Sequence, residues 1–240
     1  MLWSPWRSAG TEAYLALEAA LAPSPSPVRS LLAATLSCLA AWWIYVPLHE
    51  LLHAFACLAS GGEVRELQIA PLYGGTLLER VFPFVRAGGT YAGRLSGFDT
   101  RGSDLRYLAT DLAPYLLTIV AAFPLLRLAR RHRSALLFGP GLVLAAAPLM
   151  GLTGDYYEMG SILVSAGLGM PRAASLRHDD LFALLSEFPV RFPEDRWVWA
   201  AAVTAAVLLG ATLATGTLAA ALRLPDPLGR RRGPEPTAAA

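Results

Sequence analysis

A short motif of histidine and glutamate is the first feature of this sequence that could do chemistry. Residues 49–53 read His49-Glu50-Leu51-Leu52-His53. On an α-helix, positions i and i+4 lie on the same face, so both imidazoles can point toward one metal ion. The glutamate between them could then act as a general base toward a water molecule at that ion. We therefore predict a metal site with His49 and His53 as ligands and Glu50 as a catalytic residue.

A catalytic zinc usually has three protein ligands, so the site needs one more from elsewhere in the chain. Asp155 and Glu158 are the candidates, because they interrupt a long apolar stretch. We prefer Asp155, since Gly151 and Gly154 beside it allow close approach of another helix. Glu158 stays the alternative, because a glutamate coordinates zinc equally well.

Three other ionisable residues are weaker candidates for the site. Asp111 stands just before an apolar stretch, and we expect it to cap the N-terminus of a helix. His132 belongs to a cluster of arginines, and His178 lies in a polar loop beside two aspartates. Neither histidine has a paired ligand nearby in the sequence, so we expect both side chains to be solvated.

The composition indicates which kind of structure must position these residues. Of the 240 residues, 55% are hydrophobic and only 16% are charged, and the mean hydropathy is +0.44. A soluble domain typically has about 25% charged residues, so the composition excludes an ordinary soluble enzyme. The net charge is only +2, and we expect no nucleic-acid partner.

Four apolar stretches are long enough to cross a bilayer, which needs about 20 helical residues. They cover residues 28–46, with a continuation through Pro47, and residues 112–128, 135–170 and 197–222. Charged groups inside such stretches are costly in lipid and are functional by default. The sequence therefore predicts an all-α polytopic membrane protein of about four transmembrane helices.

The remaining segments lie outside these spans. We predict an N-terminal amphipathic segment over residues 1–27, a membrane domain over 28–224 and a disordered tail over 225–240. The membrane domain contains a polar insert, 61–110, in which alternating residues at 64–70 predict a small β-strand or hairpin. Such a strand could hold an unwound peptide by pairing along its edge.

Arginine positions indicate the orientation and depth of the site. The compact cluster Arg127–Arg133 favours the cytoplasm for that side of the protein. The step from Arg29 to His49 is 20 residues. The step from Arg133 to Asp155 is 22 residues. Two straight helices that rise from the same side would therefore bring His49 and Asp155 within about 3 Å in depth.

The chain resembles the site-2 protease family of intramembrane zinc metalloproteases. The resemblance covers residues 45–160 and rests on the His-Glu-x-x-His motif in a span, the strand-like insert and Asp155 about a hundred residues later. In the family, Gly usually follows the distant Asp, whereas Tyr156 follows it here. The resemblance implies Zn²⁺ bound by the two motif histidines and Asp155, with Glu50 as catalytic base. It also implies a zinc metalloendopeptidase that cleaves a membrane protein substrate in the lipid bilayer, and we expect a bacterial cytoplasmic membrane.

A second class of function is a metal-binding membrane protein without catalysis, either a transporter or an inactive scaffold. A transporter would need polar groups on several spans along one continuous path. The second and fourth spans contribute almost none. We therefore favour the endopeptidase.

Overall fold

The computed structural model describes residues 3–22, 26–169 and 175–224, which form nine α-helices and one three-stranded sheet. The helices are α1 Ser4–Leu21, α2 Pro27–Ala59, α3 Gly75–Val81, α4 Asp104–Leu112, α5 Phe123–His132, α6 Ala135–Met150, α7 Asp155–Leu168, α8 Leu181–Arg191 and α9 Arg196–Arg223. The strands are β1 Glu63–Ile69, β2 Val85–Ala87 and β3 Gly93–Asp99. The predicted disordered tail, 225–240, lies outside the described residues.

The predicted fold class, an all-α polytopic membrane protein with a small β insert, is confirmed. Four helical segments are long and apolar enough to cross a membrane: Pro27–Ala59, Asp104–His132, Ala135–Thr153 and Arg196–Arg223. The second segment begins eight residues before the predicted stretch, because α4 leads into it through a 3-10 turn, Ala113–Tyr115, and a π-helical turn, Thr118–Ala122. Polar residues of α4 face a cavity. A search for long apolar stretches therefore does not detect this helix.

The third apolar stretch is broken into two helices. A 3-10 turn, Gly151–Thr153, follows α6, and α7 begins only at Asp155. Gly154 has φ −109° and ψ −114°, far from helical values. Gly151 packs directly against the Tyr115 hydroxyl, which a Cβ at that position would overlap. The break therefore places Asp155 at the first residue of a helix, beside α4 and the turn that follows it.

α7 and α9 pack against each other through glycines. A Cβ on Gly160 would overlap the carbonyl oxygen of Ala206, and a Cβ on Gly210 would overlap that of Tyr156. Small residues of this kind allow two helices to approach closely inside a membrane. The packing fixes α7 against α9, and with it the position of Asp155.

The insert is a three-stranded sheet with the order β2-β1-β3. β1 pairs in parallel with β2 and antiparallel with β3. Leu67 and Ile69 of β1 are fully buried against Leu51 and Ala54 of α2, which joins the sheet to the helix that carries the motif. The expectation that residues 64–70 offer a free edge is wrong, because β1 is the central strand. The outer strands are β2 and β3.

The N-terminal helix α1 packs against α5, α6 and α9. Ala9, Ala16 and Ala20 are buried in these contacts, whereas Trp3 and Tyr14 are exposed. Alanines allow the close approach because their side chains end at Cβ. The same end of the molecule carries the arginine cluster, and the motif His49–His53 lies toward the other end of α2.

Candidate metal centre

Side chains from α2 and from the first residue of α7 meet at one point. His49 Nε2 lies 3.0 Å from His53 Nε2, and Asp155 Oδ2 lies 3.1 Å and 3.6 Å from these two nitrogens. A tetrahedral zinc with bonds of about 2.0–2.1 Å has its ligand atoms about 3.3 Å apart. The observed distances bracket this value, so the three atoms fit one tetrahedral metal ion without any movement of the helices.

Each histidine is oriented through its second ring nitrogen. His53 Nδ1 lies 2.8 Å from the carbonyl oxygen of Thr110, and His49 Nδ1 lies 2.8 Å from the Tyr45 hydroxyl. A carbonyl can only accept, so His53 Nδ1 donates a proton to this bond and Nε2 keeps its lone pair for a metal. The Tyr45 hydroxyl can accept from His49 Nδ1 in the same way. These contacts supply the outer support that metal-binding histidines need.

Asp155 is oriented by a tyrosine that the sequence analysis missed. The Tyr115 hydroxyl donates a 2.7 Å hydrogen bond to Asp155 Oδ2. The Tyr115 ring is buried and packs against the rings of His49 and Tyr156. This bond directs the carboxylate toward the imidazoles. In the sequence, Tyr115 stands out as a hydroxyl-bearing side chain within an apolar stretch, and this feature could have indicated its role.

Glu50 lies in the same cavity as His53 and Asp155. The cavity has a volume of about 740 Å³ and is lined by α2, β3, α4, the start of α7 and residues 177–180. A Cβ on Gly93 of β3 would overlap the Glu50 side chain. Only glycine therefore allows β3 to pass so close to this carboxylate, and Glu50 is confined between α2 and β3.

Glu158 forms its side-chain hydrogen bond with α4 and does not belong to the group of candidate ligands. It is buried on α7, three residues after Asp155, and accepts a hydrogen bond from the Tyr107 hydroxyl of α4. Within the described residues, His49, His53 and Asp155 are the group whose ligand atoms lie close enough to hold one metal ion. The geometry thus places Asp155, rather than Glu158, beside the imidazoles.

Asp111 does not cap a helix, contrary to the sequence-based expectation. α4 begins at Asp104, where the Ser103 hydroxyl accepts a hydrogen bond from the backbone N–H of Arg106. Asp111 therefore falls in the last turn of α4, and it is only 4% exposed. Its Oδ2 atom has no hydrogen-bond partner among the described residues. The expectation failed because α4 starts within polar sequence.

His178, which we expected to be solvated, is half-buried. It lines the cavity, and its Nδ1 accepts a 2.9 Å hydrogen bond from the backbone N–H of Asp180. The neighbouring Asp179 forms a 2.7 Å ion pair with Arg94 of β3. This pair ties the loop to the sheet across the cavity. His132, at the end of α5, is exposed.

The candidate ligands at this centre are two imidazole nitrogens and one carboxylate oxygen. Zinc in hydrolases is commonly bound by two histidines and one carboxylate, which leave a fourth position for water. Comparison of the chain with protein-family models, curated proteins and solved structures gave no match.

Proposed function

We propose that this protein is a zinc-dependent intramembrane endopeptidase of the site-2 protease type, which hydrolyses a peptide bond in a membrane protein. One observation carries the proposal. His49 Nε2, His53 Nε2 and Asp155 Oδ2 lie 3.0–3.6 Å from one another, and Glu50 lines the adjoining cavity. Together they supply the ligands and the base that zinc-dependent hydrolysis requires.

Glu50 is the residue that moves protons in this proposal. When bound, zinc supplies Lewis-acid activation of a water molecule and of the peptide carbonyl. Glu50 accepts a proton from the attacking water and delivers it to the nitrogen of the leaving amine. No arginine forms an ion pair with Glu50 within the part of the chain described, so its carboxylate is available as a base. Thr110 and Tyr115 keep the ligands aligned during this transfer.

The peptide must be extended when it reaches the centre. Carbonyl groups of a transmembrane helix are hydrogen-bonded within the helix, and local unwinding is needed before attack. β3 is an outer strand of the sheet, and Gly93, Arg94 and Leu95 of β3 line the cavity. Pairing of the unwound peptide with β3 would present its carbonyls to the centre. This role replaces the one expected of residues 64–70.

The experiment compares metal content with peptide cleavage in the purified protein. Proteoliposomes containing a library of single-span peptides would be analysed by mass spectrometry for new termini. We expect the wild-type protein to contain one zinc per chain and to cleave. Glu50→Gln should keep the zinc and lose about 10²–10⁴-fold in cleavage rate, because only the base is removed.

The matched control is Glu79→Gln, which makes the same change at an exposed position on α3 and should cleave like the wild type. Full cleavage by Glu50→Gln would remove this residue from the mechanism. Weakly held, exchangeable metal in a wild-type protein that does not cleave would favour the transporter or scaffold instead.

A further inference from the structure

Two buried carboxylates line the cavity beyond the metal centre. Asp111 on α4 is 4% exposed, and Glu158 on α7 is 7% exposed. Asp111 Oδ2 has no hydrogen-bond partner among the described residues, whereas Glu158 accepts from Tyr107. The two acids thus form one buried acidic pair at the wall of the cavity.

The arginines around this cavity form no ion pair with either acid. Each arginine that lines the cavity pairs with a different acid, and the pairs are Arg94–Asp179 at 2.7 Å, Arg177–Asp104 at 2.7 Å and Arg191–Glu187 at 2.8 Å. No ion pair involves Asp111 or Glu158 within residues 3–22, 26–169 and 175–224. A carboxylate buried without a basic partner ionises only at a high cost in free energy. A cationic group that entered the cavity would supply the missing counter-charge for both acids.

An organic cation suits this pair better than a metal ion. A divalent metal ion held by a protein usually has at least three protein ligands. Within the described residues, the group of three metal-binding side chains is His49, His53 and Asp155, which does not include either acid. A guanidinium or ammonium group, in contrast, is satisfied by two carboxylates. The cavity volume of about 740 Å³ also accommodates a long side chain.

We infer that Asp111 and Glu158 form a specificity pocket for a basic side chain, arginine or lysine, of the peptide substrate. The inference rests on the proposed function and names the class of substrate for the same site. Glu50, His53 and Asp155 line this cavity too, so the bound side chain belongs to a residue near the cleaved bond. An arginine buried in the pocket would present its fork of N–H donors to both carboxylates.

The test uses two apolar peptides that differ at one residue, arginine in one and its neutral isostere citrulline in the other. Binding is measured by calorimetry with the zinc-loaded Glu50→Gln protein in detergent, so that cleavage does not interfere. We expect the arginine peptide to bind at least about tenfold more tightly. The additional changes Asp111→Asn and Glu158→Gln should bring the ratio of the two affinities close to one.

A control variant separates local from general charge effects. Glu18→Gln with Glu79→Gln removes two carboxylates at exposed positions outside the cavity and should keep the preference for arginine. Equal affinity of both peptides for the protein with an intact acid pair overturns the inference, even if the Asp111→Asn, Glu158→Gln variant does not fold. A second metal ion per chain that is lost with the acid pair overturns it as well.

The outcomes also distinguish this inference from the proposed function. Cleavage of library peptides without any preference for arginine would support the peptidase and contradict the specificity pocket. Tight binding of the arginine peptide by a wild-type protein that cleaves nothing would support the specificity pocket and contradict the peptidase.

Discussion

At the scale of single residues, hydrogen-bond partners distinguish the two carboxylates of α7. Asp155 accepts from Tyr115 and lies 3.1 Å from His49 Nε2. Glu158 is one helical turn further along and accepts from Tyr107 on α4. The two acids therefore have different tyrosine partners, and only Asp155 lies beside the histidines of the candidate metal centre.

This difference predicts how zinc binding responds to substitution. Asp155→Asn should lower zinc affinity by at least about 100-fold, because it removes the charge of a ligand. Tyr115→Phe should lower zinc affinity by about tenfold, because it removes the hydrogen bond that orients this ligand. Glu158→Gln should leave zinc affinity unchanged. Competition with a chelator of known affinity measures all three variants. A loss of zinc in Glu158→Gln with retention in Asp155→Asn would reverse the assignment.

At the scale of elements, the candidate metal centre depends on the position of α7 against α9. Gly160 and Gly210 leave no room for a side chain between these helices, since their Cβ atoms would overlap backbone carbonyls. Asp155 is the first residue of α7, so a shift of this helix carries the ligand away from α2. The geometry of the candidate metal centre therefore depends on the packing of these two glycines.

We expect Gly160→Val to separate α7 from α9 and to destabilise the protein by about 1–3 kcal/mol, as overpacking usually does. Zinc affinity should fall with it, because Asp155 moves. Gly167→Val is the control, since a Cβ on Gly167 of the same helix meets no atom within 4 Å. Thermal unfolding in detergent and chelator competition measure the two effects. Equal behaviour of both variants would show that the close contact does not position Asp155.

At the scale of the whole molecule, four apolar helical segments determine where the protein resides. Apolar side chains of α2 and α9, such as Leu36, Ile44 and Leu208, are exposed on the protein surface. Exposure of so much apolar surface to water is unfavourable, whereas in a bilayer this surface contacts lipid. We therefore expect the chain to remain in the membrane pellet after extraction at alkaline pH and to need detergent for release. Recovery in the soluble fraction would contradict the membrane assignment.

The orientation of the molecule is a separate prediction. We expect the Arg127–Arg133 cluster to face the cytoplasm. In a background with Cys38→Ala and Cys57→Ala, an impermeant maleimide should label His132→Cys only in inside-out vesicles. Ser186→Cys on α8, at the other end of the molecule, should be labelled only in right-side-out vesicles. The opposite pattern would place the metal centre toward the cytoplasm.

The sequence by itself determined those features that depend on neighbours along the chain. His49 and His53 share a face because four residues make about one helical turn, and the apolar stretches mark the spans because lipid requires them. The tertiary structure decided the rest, since the deciding contacts join distant residues. Tyr115 and Asp155 are 40 residues apart, and only the break before α7 brings them together. The burial of Asp111 and the central position of β1 depend in the same way on packing between separate elements, which local periodicity does not encode.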